Sequence, residues 1–227
     1  MLVLRGLIGG SFQIAWFAAL LLIPAGTWHW PRAIQFLVVY CLATSISIVA
    51  LARLAPASLE ARLMAPAAKS QPLADRIVTP LFIASLCAWL AFIPIDVFRL
   101  RLLPLPPLEV SVLGAILSLT AYAAIWTTLF QNAFAAPIVK DQSERGQVLI
   151  DTGLYGCIRH PFYLGFLLLF AGLALWLESY AGVPALLLPG AFLIARIAIE
   201  ERTLRDTLPG YADYTQRVRY RLIPFVW

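Results

Sequence analysis

IDTGLYGCIRHPFYLG, residues 150–165, is the stretch whose reading decides the fold. It sets Gly153, Gly156, Arg159, His160 and Pro161 directly ahead of an apolar run that continues to about Leu177. Proline is favoured as the first residue of a helix, where its missing N–H is not needed. The stretch therefore reads as a polar loop that enters a membrane helix at Pro161. Such a helix start offers backbone N–H groups and the positive end of a dipole, with Arg159 and His160 beside them, a combination that suits an anion. Contact with lipid phosphate is another use for Arg159, and His160 can also serve as a helix cap.

The rest of the chain surrounds this loop with hydrocarbon. Of 227 residues, 61% are hydrophobic and 13% charged, and the mean hydropathy is +0.83, which excludes a water-soluble domain of this length. The apolar runs predict about six transmembrane helices, at 7–25, 33–51, 77–97, 108–130, 161–177 and 185–199, the last kinked or broken at Pro189 and Gly190. The expected fold is an all-α integral membrane protein with one membrane domain over 1–227. It has a four-helix N-terminal part, 1–130, and a core carrying the chemistry, 131–227. Gly6 and Gly10, four residues apart, suit close helix approach. Trp28, His29 and Trp30 read as an interfacial belt, and residues 53–76 as a loop.

Charge placement sets the orientation. Fourteen of the 17 Lys and Arg, including Arg62, Lys69, Lys140, Arg145 and Arg159, fall on one side with both termini, and only Arg32, Arg99 and Arg101 on the other. The positive-inside rule then predicts cytoplasmic N- and C-termini, a cytoplasmic functional face and a multi-pass protein of a bacterial inner membrane. The net charge of +5 is spread over loops, which points to membrane lipids as partners and away from nucleic acid. Three cysteines without a CxxC pair indicate neither a disulfide nor a metal site.

A second polar patch, RIAIEERTLR at 196–205, closes the sixth predicted span. Arg196 and Glu200 are four residues apart on one helix face, as are Glu201 and Arg205 on a neighbouring face. An ionisable group following an apolar run is costly unless paired or facing a cavity, which makes Glu200 the preferred carboxylate. Tyr155 and Tyr163 offer aromatic faces to a cation or a flat ring. S-adenosylmethionine has a carboxylate, an ammonium, ribose hydroxyls, adenine and a sulfonium, so it suits this mixture, although residue chemistry alone does not single it out.

GLYGCIRHPFYLG (153–165), EERTL (200–204) and LPGYADYTQRVRYRLIP (208–224) together resemble the isoprenylcysteine carboxyl methyltransferase family and its phospholipid methyltransferase relatives. The resemblance covers about the C-terminal 100 residues and rests on the joint pattern R-H-P-x-Y-x-G, E-E-x-x-L and G-Y-x-x-Y. It implies an integral membrane methyltransferase that takes S-adenosylmethionine from the cytosol, releases S-adenosylhomocysteine and needs no metal, in a pocket closed by the C-terminal segments. By the same resemblance Arg159, His160, Pro161, Tyr163 and Gly165 fall on a first cofactor motif, Glu200 and Glu201 on a second, and Tyr211 and Tyr214 on a capping tail. Asn132, in QNAF, aligns with an asparagine ahead of the cofactor loop. No GxGxxG follows a predicted strand, so the soluble type of methyltransferase is not supported.

Arg196 and Glu200 are the expected catalytic pair. Arg196 or Arg159 would orient a carboxylate acceptor, and Glu200 would take the proton from an amine or thiol. The acceptor is expected to be lipophilic or lipid-linked, with an isoprenylcysteine-like carboxylate, a lipid amine and a small thiol all open, as is the oligomeric state. Two other readings stand beside this one: a non-catalytic membrane assembly or binding protein of the same fold, and a small membrane transporter.

Overall fold

A computed structural model describes residues 1–63, 71–135, 139, 142 and 146–227. Lys69, Lys140 and Arg145, used above for orientation, lie outside the described residues. The described chain is all-helical, without a strand. In order come α1 (Leu2–Ala25), α2 (Pro31–Leu54), α3 (Pro56–Leu63), α4 (Leu73–Ile95), α5 (Leu108–Gln131), α6 (Pro161–Trp176), α7 (Gly182–Ala185), α8 (Leu187–Thr207) and α9 (Tyr211–Arg217). One π-helical turn, Asp96–Leu100, prolongs α4.

Five segments are long and apolar enough to cross a membrane: Leu2–Ala25, Pro31–Leu54, Leu73–Leu100, Leu108–Gln131 and Gly182–Thr207. Helix α6 is as apolar but shorter, with 16 residues. At 1.5 Å per residue it is about 24 Å long, against about 30 Å for a hydrocarbon core. Large side chains such as Ile8, Phe12, Ile46 and Leu113 are more than half exposed on these helices. Their setting is lipid, because water would not tolerate so much continuous apolar surface.

Lipid removes most of the hydrophobic drive between helices, so close packing and a few hydrogen bonds hold them together. A Cβ on Gly6 would lie 2.7 Å from Ile48 Cγ2, and one on Gly10 would lie 3.1 Å from Ile48 Cδ1. The glycine pair near the N-terminus thus seats α1 against α2. Helices α5 and α6 are interlocked in the same way. A Cβ on Gly114 would meet Trp176 N at 2.6 Å, and one on Gly165 would meet Ile125 Cγ1 at 2.7 Å. Ser111 Oγ donates to Trp176 O at 2.8 Å, and Ser118 Oγ to Leu169 O at 3.2 Å. Antiparallel to α6, α5 runs past its start to Gln131, whose Oε1 accepts the Leu154 N–H at 3.3 Å.

Three expectations are corrected. The 53–76 loop contains α3, and the third long helix begins at Leu73, which draws Asp75 into it. Trp30 is 2% exposed and meets Phe98 edge-on at 5.2 Å, so only Trp28, 74% exposed, keeps an outward place in that pair. The break before α8 falls at Leu186. Pro189 is the third residue of α8, where its absent N–H would have had no partner anyway. Asp96 is buried near the other end of the bundle, accepting bonds from Ser179 Oγ at 2.6 Å and Leu102 N at 3.0 Å.

Candidate functional site

The loop ahead of α6 is shaped by local chemistry. A 3₁₀ turn, Gly153–Gly156, opens with Gly153 at φ 60°, and a Cβ there would collide with the Gln131 side chain. Glycine satisfies both demands. His160 is the N-cap residue of α6. The backbone N–H groups of Arg159 and His160 donate to Tyr220 O at 3.0 Å and Arg221 O at 2.9 Å, while Pro161 has none. The C-terminal tail thus occupies the two N–H groups directly ahead of the helix start.

Glu201 is the hub of this end of the molecule. Its carboxylate lies 2.7 Å from Arg159 Nε, 3.3 Å from His160 Nε2 and 2.9 Å from Arg221 Nε. The expected Glu201–Arg205 contact is present but long, at 3.9 Å. Arg159 also donates through Nη1 to the carbonyls of Thr215 and Val218 at 3.3 Å each, which close the last turn of α9. Guanidinium charge at a helix C-terminus is favourable, and buried ion pairs hold when their remaining hydrogen bonds are met. Arg159 and Glu201 thus bolt the tail onto the loop and α8. Tyr214 adds a hydrogen bond from its hydroxyl to Tyr155 O at 2.7 Å.

Glu200 stands next in sequence but belongs to a different cluster. It is half-buried and accepts the Tyr163 hydroxyl at 2.5 Å. Arg196 lies 3.8 Å from Asp75 Oδ1, has its guanidinium 6.0 Å from the Tyr163 ring centre, and interacts electrostatically with Glu200. Asp75 is fully buried and accepts bonds from Gln71 at 2.7 Å, Thr79 at 2.9 Å and the Val139 N–H at 3.1 Å. The expected Arg196–Glu200 pair is therefore one side of a larger group joining α4, α6 and α8. Sequence reasoning missed Asp75. A lone carboxylate at the edge of an apolar run, which must find a partner, was the available signal.

A cleft of about 850 Å³, counted to its mouth, opens beside these clusters. Tyr155, Arg159, His160, Tyr163, Glu200, Tyr211 and Tyr214 line it, as does Asn132, which hydrogen-bonds to Tyr155. Pro161, Gly165, Arg196 and Glu201 do not. Gly165 instead packs on α5, and Arg196 and Glu201 support the cleft from behind. Burial above all pushes the Tyr155 hydroxyl up to about 12. The Tyr211 hydroxyl is raised as well, by burial first and then by Glu201 and Glu200. Both are neutral donors at physiological pH, not bases. The Tyr211 hydroxyl is buried and has no hydrogen-bond partner among the described residues. The cleft thus combines hydroxyl donors, aromatic faces, including the stacked His160–Tyr163 pair at 5.6 Å, and one carboxylate with a single neutral donor.

No curated protein matches the chain. Residues 110–209, which run from α5 through the loop and α6 to the end of α8, match the model of the phospholipid methyltransferase family. The match begins within α5, ahead of residue 131, and ends before Tyr211 and the tail.

Proposed function

We propose, on the premise that residues 110–209 form a membrane methyltransferase domain, that this protein transfers a methyl group from S-adenosylmethionine to a lipophilic acceptor. The acceptors in view are an isoprenylcysteine-like carboxylate, a lipid amine and a small thiol. One observation carries the reading: the buried Tyr211 hydroxyl, without a hydrogen-bond partner among the described residues, stands in the wall of a cleft that Glu200 also lines. A buried hydroxyl left unsatisfied costs about 1–3 kcal/mol, which a ligand acceptor atom would recover.

The residues present fit the cofactor. Glu200 suits an ammonium or ribose hydroxyls, and Tyr155 with the His160–Tyr163 stack suits adenine or a cationic sulfur. S-adenosylmethionine, when bound, supplies a methyl group already activated by its positive sulfur and leaves as S-adenosylhomocysteine. The protein's own contribution is then alignment and exclusion of water. Tyr163 holds Glu200 in place through its hydroxyl, and Arg196 interacts with it electrostatically. An unprotonated Glu200 oxygen can take a proton from an amine or thiol acceptor. Helix α9, clamped by Arg159 and Tyr214, closes the cleft on the side away from the bundle. The excess of basic residues at this end supports a cytoplasmic site in a bacterial inner membrane with six spans, α6 being the short one.

Calorimetric titration of S-adenosylmethionine into the detergent-purified protein tests the proposal, beside Tyr211→Phe, Glu200→Gln, Arg159→Ala and His160→Ala variants checked for folding. Saturable binding is expected, weakened in Tyr211→Phe and Glu200→Gln. A well-folded wild type that binds no cofactor would overturn it in favour of a non-catalytic membrane assembly protein.

A further inference from the structure

A second cavity, of about 1360 Å³ counted to its mouth, lies between α1, α2, α5 and α6. Its wall on α6 runs from Phe162 to Leu173, about 16 Å at 1.5 Å per residue, and includes the series of mutually tilted rings Phe162, Phe166 and Phe170. Phe162 also lines the polar cleft, so this side chain borders both spaces. Arg62, on α3, stands at this junction. Its guanidinium lies 5.3 Å from the centre of the Phe162 ring, and Nη2 donates to Ala135 O, in the wall of the cleft, at 3.1 Å. Its Nε is buried without a hydrogen-bond partner. Among the described residues no carboxylate lies within ion-pair distance of it, whereas Arg159 has Glu201 and Arg196 has Asp75. Burial lowers Arg62 to about 10, with Tyr155 acting in the opposite direction, so it stays a cation at neutral pH.

A desolvated guanidinium without a counter-ion is unfavourable, and it marks a place for an anion from outside the chain. We propose that the second cavity holds the hydrocarbon chain of the methyl acceptor and that Arg62 binds an anionic group, carboxylate or phosphate, on that acceptor's head. The inference rests on the methyltransferase reading for the word acceptor. It names the acceptor's class: an anionic amphiphile whose head passes Phe162 into the cleft. The sequence had offered Arg159 or Arg196 for orienting an acceptor, and the structure commits both to carboxylates of the chain itself. Among the described arginines that border the two spaces, Arg62 is the one without a carboxylate at ion-pair distance, and so the one to read the acceptor's charge.

Trp126 lines the cavity and can report its filling. The full chain in nanodiscs of zwitterionic lipid is titrated with single-chain probes brominated at the chain end and carrying a phosphate, carboxylate, alcohol or trimethylammonium head. Quenching is read as the difference from a Trp126→Phe control. The phosphate or the carboxylate is expected to bind about tenfold more tightly than the alcohol, and the better of the two separates a lipid phosphate from a carboxylate source. Arg62→Gln should abolish this preference while leaving the alcohol unchanged, which also shows the variant to be folded, and Arg62→Lys should restore part of it. An anion preference that survives Arg62→Gln, or quenching no greater than in the Trp126→Phe control, would overturn the proposal. The readout needs no cofactor, so failure of S-adenosylmethionine binding is a separate result.

Discussion

Glu200 and Glu201 are neighbours on α8 with opposite fates. Glu201 is 3% exposed and is met by Arg159, His160 and Arg221, which tie together the loop, the helix and the tail. Glu200 is half-buried, receives one neutral donor and borders the cleft. Successive residues on an α-helix point about 100° apart, so a pair of identical side chains can serve two sides of one wall. A saturated carboxylate holds structure, and one with unused lone pairs can receive a ligand.

The strongest way to break the comparison is Glu201→Gln, which leaves Arg159 buried without its counter-ion. Removing one partner of a buried pair costs about 3–5 kcal/mol, so this variant should show a large loss of thermal stability and rapid proteolysis of the tail beyond Arg217. Unchanged melting and an intact tail would show that the hub is not structural. Glu200→Gln should do the reverse. Its melting should stay close to wild type while S-adenosylmethionine affinity falls about ten- to a hundredfold, the worth of a charge-assisted hydrogen bond of about 1.5–3 kcal/mol; calorimetry decides, and equal affinity would remove Glu200 from the site.

Smaller effects sharpen the contrast. Arg221 is the most exposed of Glu201's three close partners, with 36% of its side chain open. Solvent screening should therefore hold the cost of Arg221→Gln to about 1 kcal/mol or less, although the cation also lies 5.1 Å from the Trp227 ring centre. A loss as large as that of Glu201→Gln in chemical denaturation would contradict the ranking Arg159 over Arg221. Tyr211→Phe should be the mildest for folding, because the hydroxyl it removes has no partner. Stability should stay within about 0.5 kcal/mol of wild type, or rise, while cofactor affinity drops about fivefold, near 1 kcal/mol. A loss of folding stability without any change in binding would assign that hydroxyl to the scaffold.

The sequence was most legible where the information is local. Hydropathy located every long helix to within about eight residues, because a run of apolar side chains must meet lipid wherever it is placed. The glycines at 6 and 10 announced a close approach, and the structure supplies Ile48 as the surface they meet. Tyr155, Arg159, His160, Tyr163, Glu200, Tyr211 and Tyr214 were all singled out, and the structure brings them around one cleft.

Partnership was not legible. Arg159 carries no sign in the sequence that its counter-ion lies 42 positions away, nor Arg196 that Asp75 awaits it across the bundle. Helix α3 read as loop because eight residues of mixed polarity give little periodicity, and Arg62 upon it was counted only as a cytoplasmic charge. The sequence by itself determined a helical membrane protein and the polar segments that interrupt it, since lipid acts on each segment separately. Which carboxylate is saturated, which tyrosine lacks a partner and which arginine lacks a counter-ion were decided only by the tertiary structure, because burial and charge pairing exist only once distant helices share one interior.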